Sequence, residues 1–242
     1  MNKDTVKKFT LPTLLILMGF GVIYSSMALF SEISENVVNQ QIRVIDNAIV
    51  DLLLSFSSAG FYDAMIVITE MGSVWFTAVV SSFIILYLWV KERDRWGILF
   101  FMISIGGGGL LILLLKEFFR IDRPSINAQI DAVGYSFPSG HAMGSIILYG
   151  FIIYLIIRSE LSRAVKGSLS AVLIFLASLI AFSRVYLSAH YPSDVVAGQA
   201  GGLAWLMICI VSLEGLQWTT RNNFKPLKKI RKLLAVIYRQ FK

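Results

Sequence analysis

Six apolar runs, each about as long as a bilayer is thick, constrain this chain more than any other feature. A helix needs about 20 apolar residues to cross the hydrocarbon core, with a working range of about 17–25. Phe9–Phe30, Ser73–Val90, Gly97–Leu115, Gly140–Ile157, Gly167–Leu187 and Val195–Leu213 meet or approach that length. The expectation is an all-α integral membrane protein with six transmembrane helices. With 56% hydrophobic and 15% charged residues and a mean hydropathy of +0.71, the chain is unlike a soluble domain, which carries about 25% charge. Its 242 residues suit one membrane-embedded domain, 1–242.

Lysine and arginine set the orientation. With the N-terminus inside, seventeen of the 22 basic residues fall on inner segments and five on the outer side: Arg43, Lys116, Arg120, Arg123 and Arg184. The positive-inside rule then makes both termini cytoplasmic. The first run follows a basic flank, Met1–Lys8, and is longer than the roughly 7–15 residues of a cleaved signal core, so it is read as an uncleaved span. Ser26-Met27-Ala28 weakly resembles a cleavage site.

Between the first two spans lies a long outer segment, Ser31–Gly72. Ile42, Ile45, Ile49, Leu52, Leu53 and Phe56 recur there at helical spacing, with Arg43, Asp46, Asn47 and Asp51 elsewhere on the wheel. This predicts a helix lying in the outer interface or packed on the bundle. Lys91–Trp96 is short enough to make a tight hairpin. Gly106–Gly109, and the pair Gly198 and Gly202, read as close-packing surfaces between helices. The lone cysteine, Cys209, excludes a disulfide framework and reads as apolar filler. The tail 219–242 is rich in basic residues, with Ile230, Leu233, Leu234, Ile237 and Phe241 at helical spacing. It is expected to form a cytoplasmic amphipathic helix on anionic membrane lipids. A nucleic-acid arm is the competing reading of its charge, and the apolar face argues against it.

Chemistry concentrates at three places on the predicted outer face. Lys116, Arg120 and Arg123 lie at i, i+4 and i+7 before Pro124. A continuing helix would set Lys116 and Arg123 on one face about 10 Å apart, with Pro124 stopping it near Arg123. Their forks and point charge suit phosphate oxygens, or alternatively lipid headgroups. Tyr135–Ser145 carries Pro138, Ser139, Gly140 and His141 at the start of the fourth span, where free backbone N–H groups make an anion site. Ser183–Asp194 holds Arg184 near the end of span five, then His190 and Asp194 four residues apart, with Pro192 opening span six. Asp194 can reach back to one imidazole nitrogen and leave the other as base or nucleophile. The only two histidines, His141 and His190, thus share one membrane face, and spacing alone leaves their roles interchangeable. Glu117 and Asp122 read as salt partners of nearby basic residues.

Lys-x6-Arg-Pro (Lys116, Arg123, Pro124), Pro-Ser-Gly-His (138–141) and Ser-Arg-x5-His-x3-Asp (Ser183, Arg184, His190, Asp194) together resemble the tripartite signature of the type 2 phosphatidic acid phosphatase superfamily. The motifs cover about a third of the chain, and six spans extend the likeness. The resemblance implies phosphohydrolysis through a phosphohistidine, with no metal or other cofactor. It makes His190 the nucleophile oriented by Asp194, and His141 the general acid. Lys116, Arg123, Ser139, Gly140 (through its N–H) and Arg184 would clamp the phosphoryl oxygens.

A site at the outer boundary of the plasma membrane suits a phosphate on a lipid tail: phosphatidylglycerophosphate, phosphatidic acid, diacylglycerol pyrophosphate or a polyprenyl pyrophosphate. The loop 125–137 does not separate these. The rival readings are a vanadate-dependent haloperoxidase, a transporter or flippase of a phosphorylated lipid or solute, and a phosphatase for a water-soluble ester. Six spans oppose the first. Ionisable residues at span ends rather than mid-span oppose the second.

Overall fold

A computed structural model describes residues 3–56, 58–124 and 133–221. The described helices are α1 (Lys3–Val38), α2 (Arg43–Ser55), α3 (Ala59–Glu70), α4 (Val74–Tyr87), α5 (Arg95–Met102), α6 (Gly108–Phe119), α7 (Gly140–Arg158), α8 (Arg163–Tyr186) and α9 (Pro192–Arg221). A π-helical turn, Leu88–Glu92, extends α4, and another, Ile103–Gly107, joins α5 to α6. Six of the resulting helices are long and apolar enough to cross a membrane: Ile16–Val38, Val74–Glu92, Arg95–Phe119, Gly140–Arg158, Arg163–Tyr186 and Pro192–Thr219. Three of the spans begin on a polar side-chain cap. Ser73 Oγ accepts from Phe76 N at 3.3 Å, Asp94 Oδ1 from Gly97 N at 2.9 Å, and Ser162 Oγ from Val165 N at 3.4 Å.

α7 and α9 form the centre. In each, 44% of the apolar window is buried inside the protein, against 11–17% in the other four spans. The glycine pattern explains how they meet. A Cβ on Gly202 would lie 2.8 Å from the Met143 carbonyl oxygen, and one on Gly198 2.6 Å from that of Ser139. Only a hydrogen fits at either place, so the two backbones touch as the small-residue pair predicts. Phe101, Leu148, Phe151, Ile180, Leu206 and Leu213 fill the core around them. Gly107 and Gly108 accommodate the Trp205 indole, whose Nε1 donates to Ser104 O inside the second π turn at 3.0 Å. Gly106 and Gly109 face open space. Cys209 is buried.

Three features differ from expectation. The segment between the first two spans holds two helices rather than one: α3, too short to span, packs Met65 against Tyr186, Leu187 and Ala189. α2 docks by a polar edge: Asp46 and Val50 are buried, while Ile45, Ile49, Leu52 and Phe56 of the apolar stripe are exposed. Asp46 wins that position because it accepts from Ser193 N at 3.0 Å and Ser193 Oγ at 2.6 Å at the start of α9. Finally, α6 ends at Phe119, because Arg120 turns into the left-handed region with φ 50°. Lys116 and Arg123 therefore do not share a helical face. The predicted amphipathic helix of the tail lies outside the described residues, as does most of the loop 125–137.

Candidate active site

The ends of four spans meet at one side of the bundle: the C-termini of α6 and α8 and the N-termini of α7 and α9. Lys116 sits in the last turn of α6 and donates through Nζ to Tyr135 O. Its Cε runs beside Gly140, whose Cβ position is 3.9 Å away, at the first turn of α7. Arg123 follows the left-handed exit from α6 and is held by three fixed acceptors. Nε donates to Gly134 O at 2.9 Å, Nη2 to Val133 O at 3.0 Å and Nη1 to Ala189 O at 2.8 Å. Nη1 also lies 3.0 Å from His190 Nε2. Arg184 is wholly buried in the last turn of α8 and donates through Nη1 to Thr69 Oγ1 at 2.8 Å.

His190 lies between α8 and α9, pinned by its N–H to Arg184 O at 3.1 Å. It is 1% exposed. Burial, then Arg123, Arg184 and Lys116, hold its imidazole well below the usual 6.5. His141, in the first turn of α7, is buried within electrostatic range of Arg184, His190, Arg123 and Lys116. All three sequence clusters therefore converge. Ser139 precedes α7; its N–H donates to Asp194 O at 3.0 Å, while its buried Oγ has no hydrogen-bond partner. A phosphate oxygen would satisfy it. Arg120 does not join: it pairs with Glu117 at 3.4 Å, both about two-thirds exposed.

Asp194 does approach His190, at 3.5 Å from Oδ2 to Nδ1. That is longer than a normal hydrogen bond. Ser136 fills the interval. Its buried Oγ is 3.2 Å from His190 Nδ1 and donates to Asp194 Oδ2, which also accepts Tyr191 N at 3.0 Å. Sequence reasoning gave Ser136, Thr69, Asp46 and Ser193 no place in the site. Ser136 stands within the Tyr135–Ser145 stretch, where a hydroxyl was visible but its partners were not. Thr69 lies 115 residues from Arg184 and carries no local signal.

The superfamily model for PAP2 matches residues 96–218, half of the chain, and covers every residue named in the site except Asp46 and Thr69. The chain belongs to the PAP2 superfamily. This PAP2 protein is 33% identical over 113 residues to phosphatidylglycerophosphatase B of Bacillus subtilis, covering 46% of this chain and 55% of that protein. The match thus spans about half the length of that relative. It is 25% identical over 172 residues to an undecaprenyl-diphosphatase of Sulfolobus acidocaldarius, covering 70% of this chain and 75% of the other. A crystal structure of a transmembrane PAP2-type phosphatidylglycerolphosphate phosphatase from Bacillus subtilis has the same fold. Its TM-score is 0.72 at 24% identity, over 78% of this chain and 94% of that one.

The PAP2 cluster is three cations, two imidazoles and a helix start around one buried point. Such a set can neutralise a phosphoryl group and offer it a nitrogen lone pair. Among the described residues, no three His, Cys, Asp or Glu side chains gather as metal ligands would.

Proposed function

We propose that this PAP2 protein is a metal-independent membrane phosphatase that hydrolyses a lipid phosphomonoester or lipid pyrophosphate through a phosphohistidine on His190. One contact carries the reading: Arg123 Nη1 at 3.0 Å from His190 Nε2. A guanidinium only donates, so Nε2 holds a lone pair beside a cation suited to a phosphoryl oxygen.

In the first half-reaction that lone pair forms the N–P bond as the P–O bond breaks, and His141 protonates the leaving oxygen. In the second, water attacks phosphorus and gives its proton to His141. The N–P electron pair returns to Nε2 and inorganic phosphate leaves. Lys116, Arg123, Arg184, the Ser139 hydroxyl and the Gly140 N–H hold the equatorial oxygens, and Asp194 steadies the imidazole. Phosphoryl transfer asks for little more than this alignment and charge.

The site's position at the ends of spans supports a lipid substrate. Phosphatidylglycerophosphate and undecaprenyl diphosphate, taken from the names of the relatives, lead the candidates, with phosphatidic acid beside them. The excess of Lys and Arg on the opposite loops supports an active site on the extracytoplasmic side of the plasma membrane.

Phosphate release by detergent-solubilised protein across that lipid panel, with His190→Ala and His141→Ala alongside, tests the proposal. A transporter, given no compartments, releases no phosphate. His190→Ala is expected to abolish turnover, and near-normal activity in that variant would overturn the nucleophile assignment.

A further inference from the structure

We propose that Ser136 is a positioning residue that bridges His190 to Asp194 and locks the imidazole in the tautomer with its lone pair on Nε2. The inference rests on the phosphohistidine reading above.

The donors and acceptors allow one arrangement. Arg123 Nη1 must donate to His190 Nε2, so in the neutral ring the proton is on Nδ1. Nδ1 faces Ser136 Oγ at 3.2 Å, and the Ser136 backbone carbonyl is a further acceptor for the ring N–H. A serine has one hydroxyl hydrogen, and here it goes to Asp194 Oδ2. That leaves an Oγ lone pair to accept the Nδ1 proton. The chain Nδ1–H to Oγ–H to carboxylate runs in one direction, so a flipped tautomer would lose one of its two bonds and also the Arg123 donation to Nε2. The direct Nδ1 to Oδ2 separation of 3.5 Å makes the carboxylate a weak partner by itself.

The position of the serine is built into the fold. Ser136 N donates to Ile121 O at 2.7 Å, and the carbonyl of Tyr135 before it receives Lys116 Nζ. Phe137 after it packs in a buried cluster with Ile33, Val37 and Ala197, its ring 4.9 Å from that of Phe119. Ser136 is thus fixed to both the phosphate-binding lysine and the exit of α6, and is itself wholly buried.

During phosphorylation of Nε2 the ring becomes cationic while keeping its Nδ1 proton. The Nε2–P bond forms, the P–O bond breaks, and the leaving oxygen is protonated elsewhere; no proton crosses Ser136. The serine holds the cation against the Asp194 charge and releases the same tautomer when the N–P bond breaks.

The test is a double-mutant cycle on kcat, using detergent-solubilised Ser136→Ala, Asp194→Ala, the double variant and Ser136→Thr, with His190→Ala beside them. Ser136→Ala is expected to lose about 10–100-fold in kcat with KM within about threefold, the range typical of a lost charge-linked hydrogen bond. The double variant should be no slower than Asp194→Ala, because the serine acts through that carboxylate. Ser136→Thr, which keeps the hydroxyl, should recover part of the loss. Retained orthovanadate inhibition and thermal midpoint in Ser136→Ala exclude a collapsed site. If a variant collapses, 15N NMR of wild-type His190 decides, with protonated Nδ1 expected. Multiplicative losses in the double variant, kcat of Ser136→Ala within twofold of wild type, or a proton on Nε2 would overturn the bridge. Activity in His190→Ala would instead overturn the phosphohistidine reading.

Discussion

Gly198 of α9 lies so close to Ser139, the residue before α7, that a Cβ built on it would meet the Ser139 carbonyl oxygen at 2.6 Å. Ser139 N in turn donates to Asp194 O at 3.0 Å. The Ser139–Gly140 start of α7 and the His190–Asp194 start of α9 are thus held in register by a missing side chain and one backbone hydrogen bond.

Gly198→Ala forces that contact apart, and backbone cannot swing away as a side chain can. Overpacking of this kind costs about 1–3 kcal/mol. The expected outcome is a lower thermal midpoint and at least tenfold less kcat/KM. Gly215→Ala on the same helix, where a Cβ meets nothing within 4 Å, should leave both unchanged. Equal behaviour of the two variants would show that the close approach does not matter.

Arg123 and Arg120 sit three residues apart with the same charge and opposite surroundings. Arg123 uses all three guanidinium nitrogens on Gly134 O, Val133 O, Ala189 O and His190 Nε2. A lysine cannot reproduce that fork, so Arg123→Lys should cost about 100-fold in kcat/KM, equivalent to about 2.7 kcal/mol. Arg120→Ala removes an exposed ion pair with Glu117 and the Nε bond to Glu117 O, neither of which involves His190, and should stay within twofold. Steady-state kinetics on both variants gives the comparison.

Helix α2 reaches the site through Asp46. Its carboxylate accepts both the N–H and the hydroxyl of Ser193, next to Asp194. Asp46→Ala leaves those donors buried without it. Loss of such a cap costs about 0.5–2 kcal/mol, so the thermal midpoint should fall and kcat should drop more than KM rises. Asp46→Asn, which keeps an acceptor oxygen, should fall less. A melt and a kcat/KM split on the two variants would check the order.

His190 supplies a pH prediction. Burial and three nearby cations hold its folded pKa well below 6.5. A base with a depressed pKa stays unprotonated down to that lower value, so the acid limb of kcat/KM should lie below pH 6.5. The same linkage acts on stability: at pH above the unfolded value both states are neutral and nothing is lost. Below it the unfolded chain takes the proton first, and stability falls towards the folded pKa. An acid inflection at or above 6.5, after correction for substrate titration, would contradict the setting of His190.

Chelation is the last check. Lys116, Arg123 and Arg184 are proposed to supply the positive charge on the phosphoryl oxygens, so activity should persist in excess EDTA. Loss of phosphate release that a divalent cation restores would assign part of that charge to a metal.

The sequence by itself determined six spans, the helix starts at Gly140 and Pro192, and the Gly198–Gly202 contact surface. Those follow from run length, capping and residue size, which are local properties. It also marked Lys116, Arg123, Ser139, His141, Arg184, His190 and Asp194, because ionisable and hydroxyl groups at the ends of apolar runs stand out against their surroundings. Only the tertiary structure decided what lies between them. Ser136 reaches His190 across 54 positions, Thr69 reaches Arg184 across 115, and Asp46 reaches Ser193 across 147. Hydroxyl and carboxylate side chains bond within about 3 Å in any direction, so their partners depend on how α2, α3 and α9 pack, and no spacing along the chain encodes that. The left-handed turn at Arg120, which sends Arg123 to His190 rather than along the face of α6, belongs to the same class.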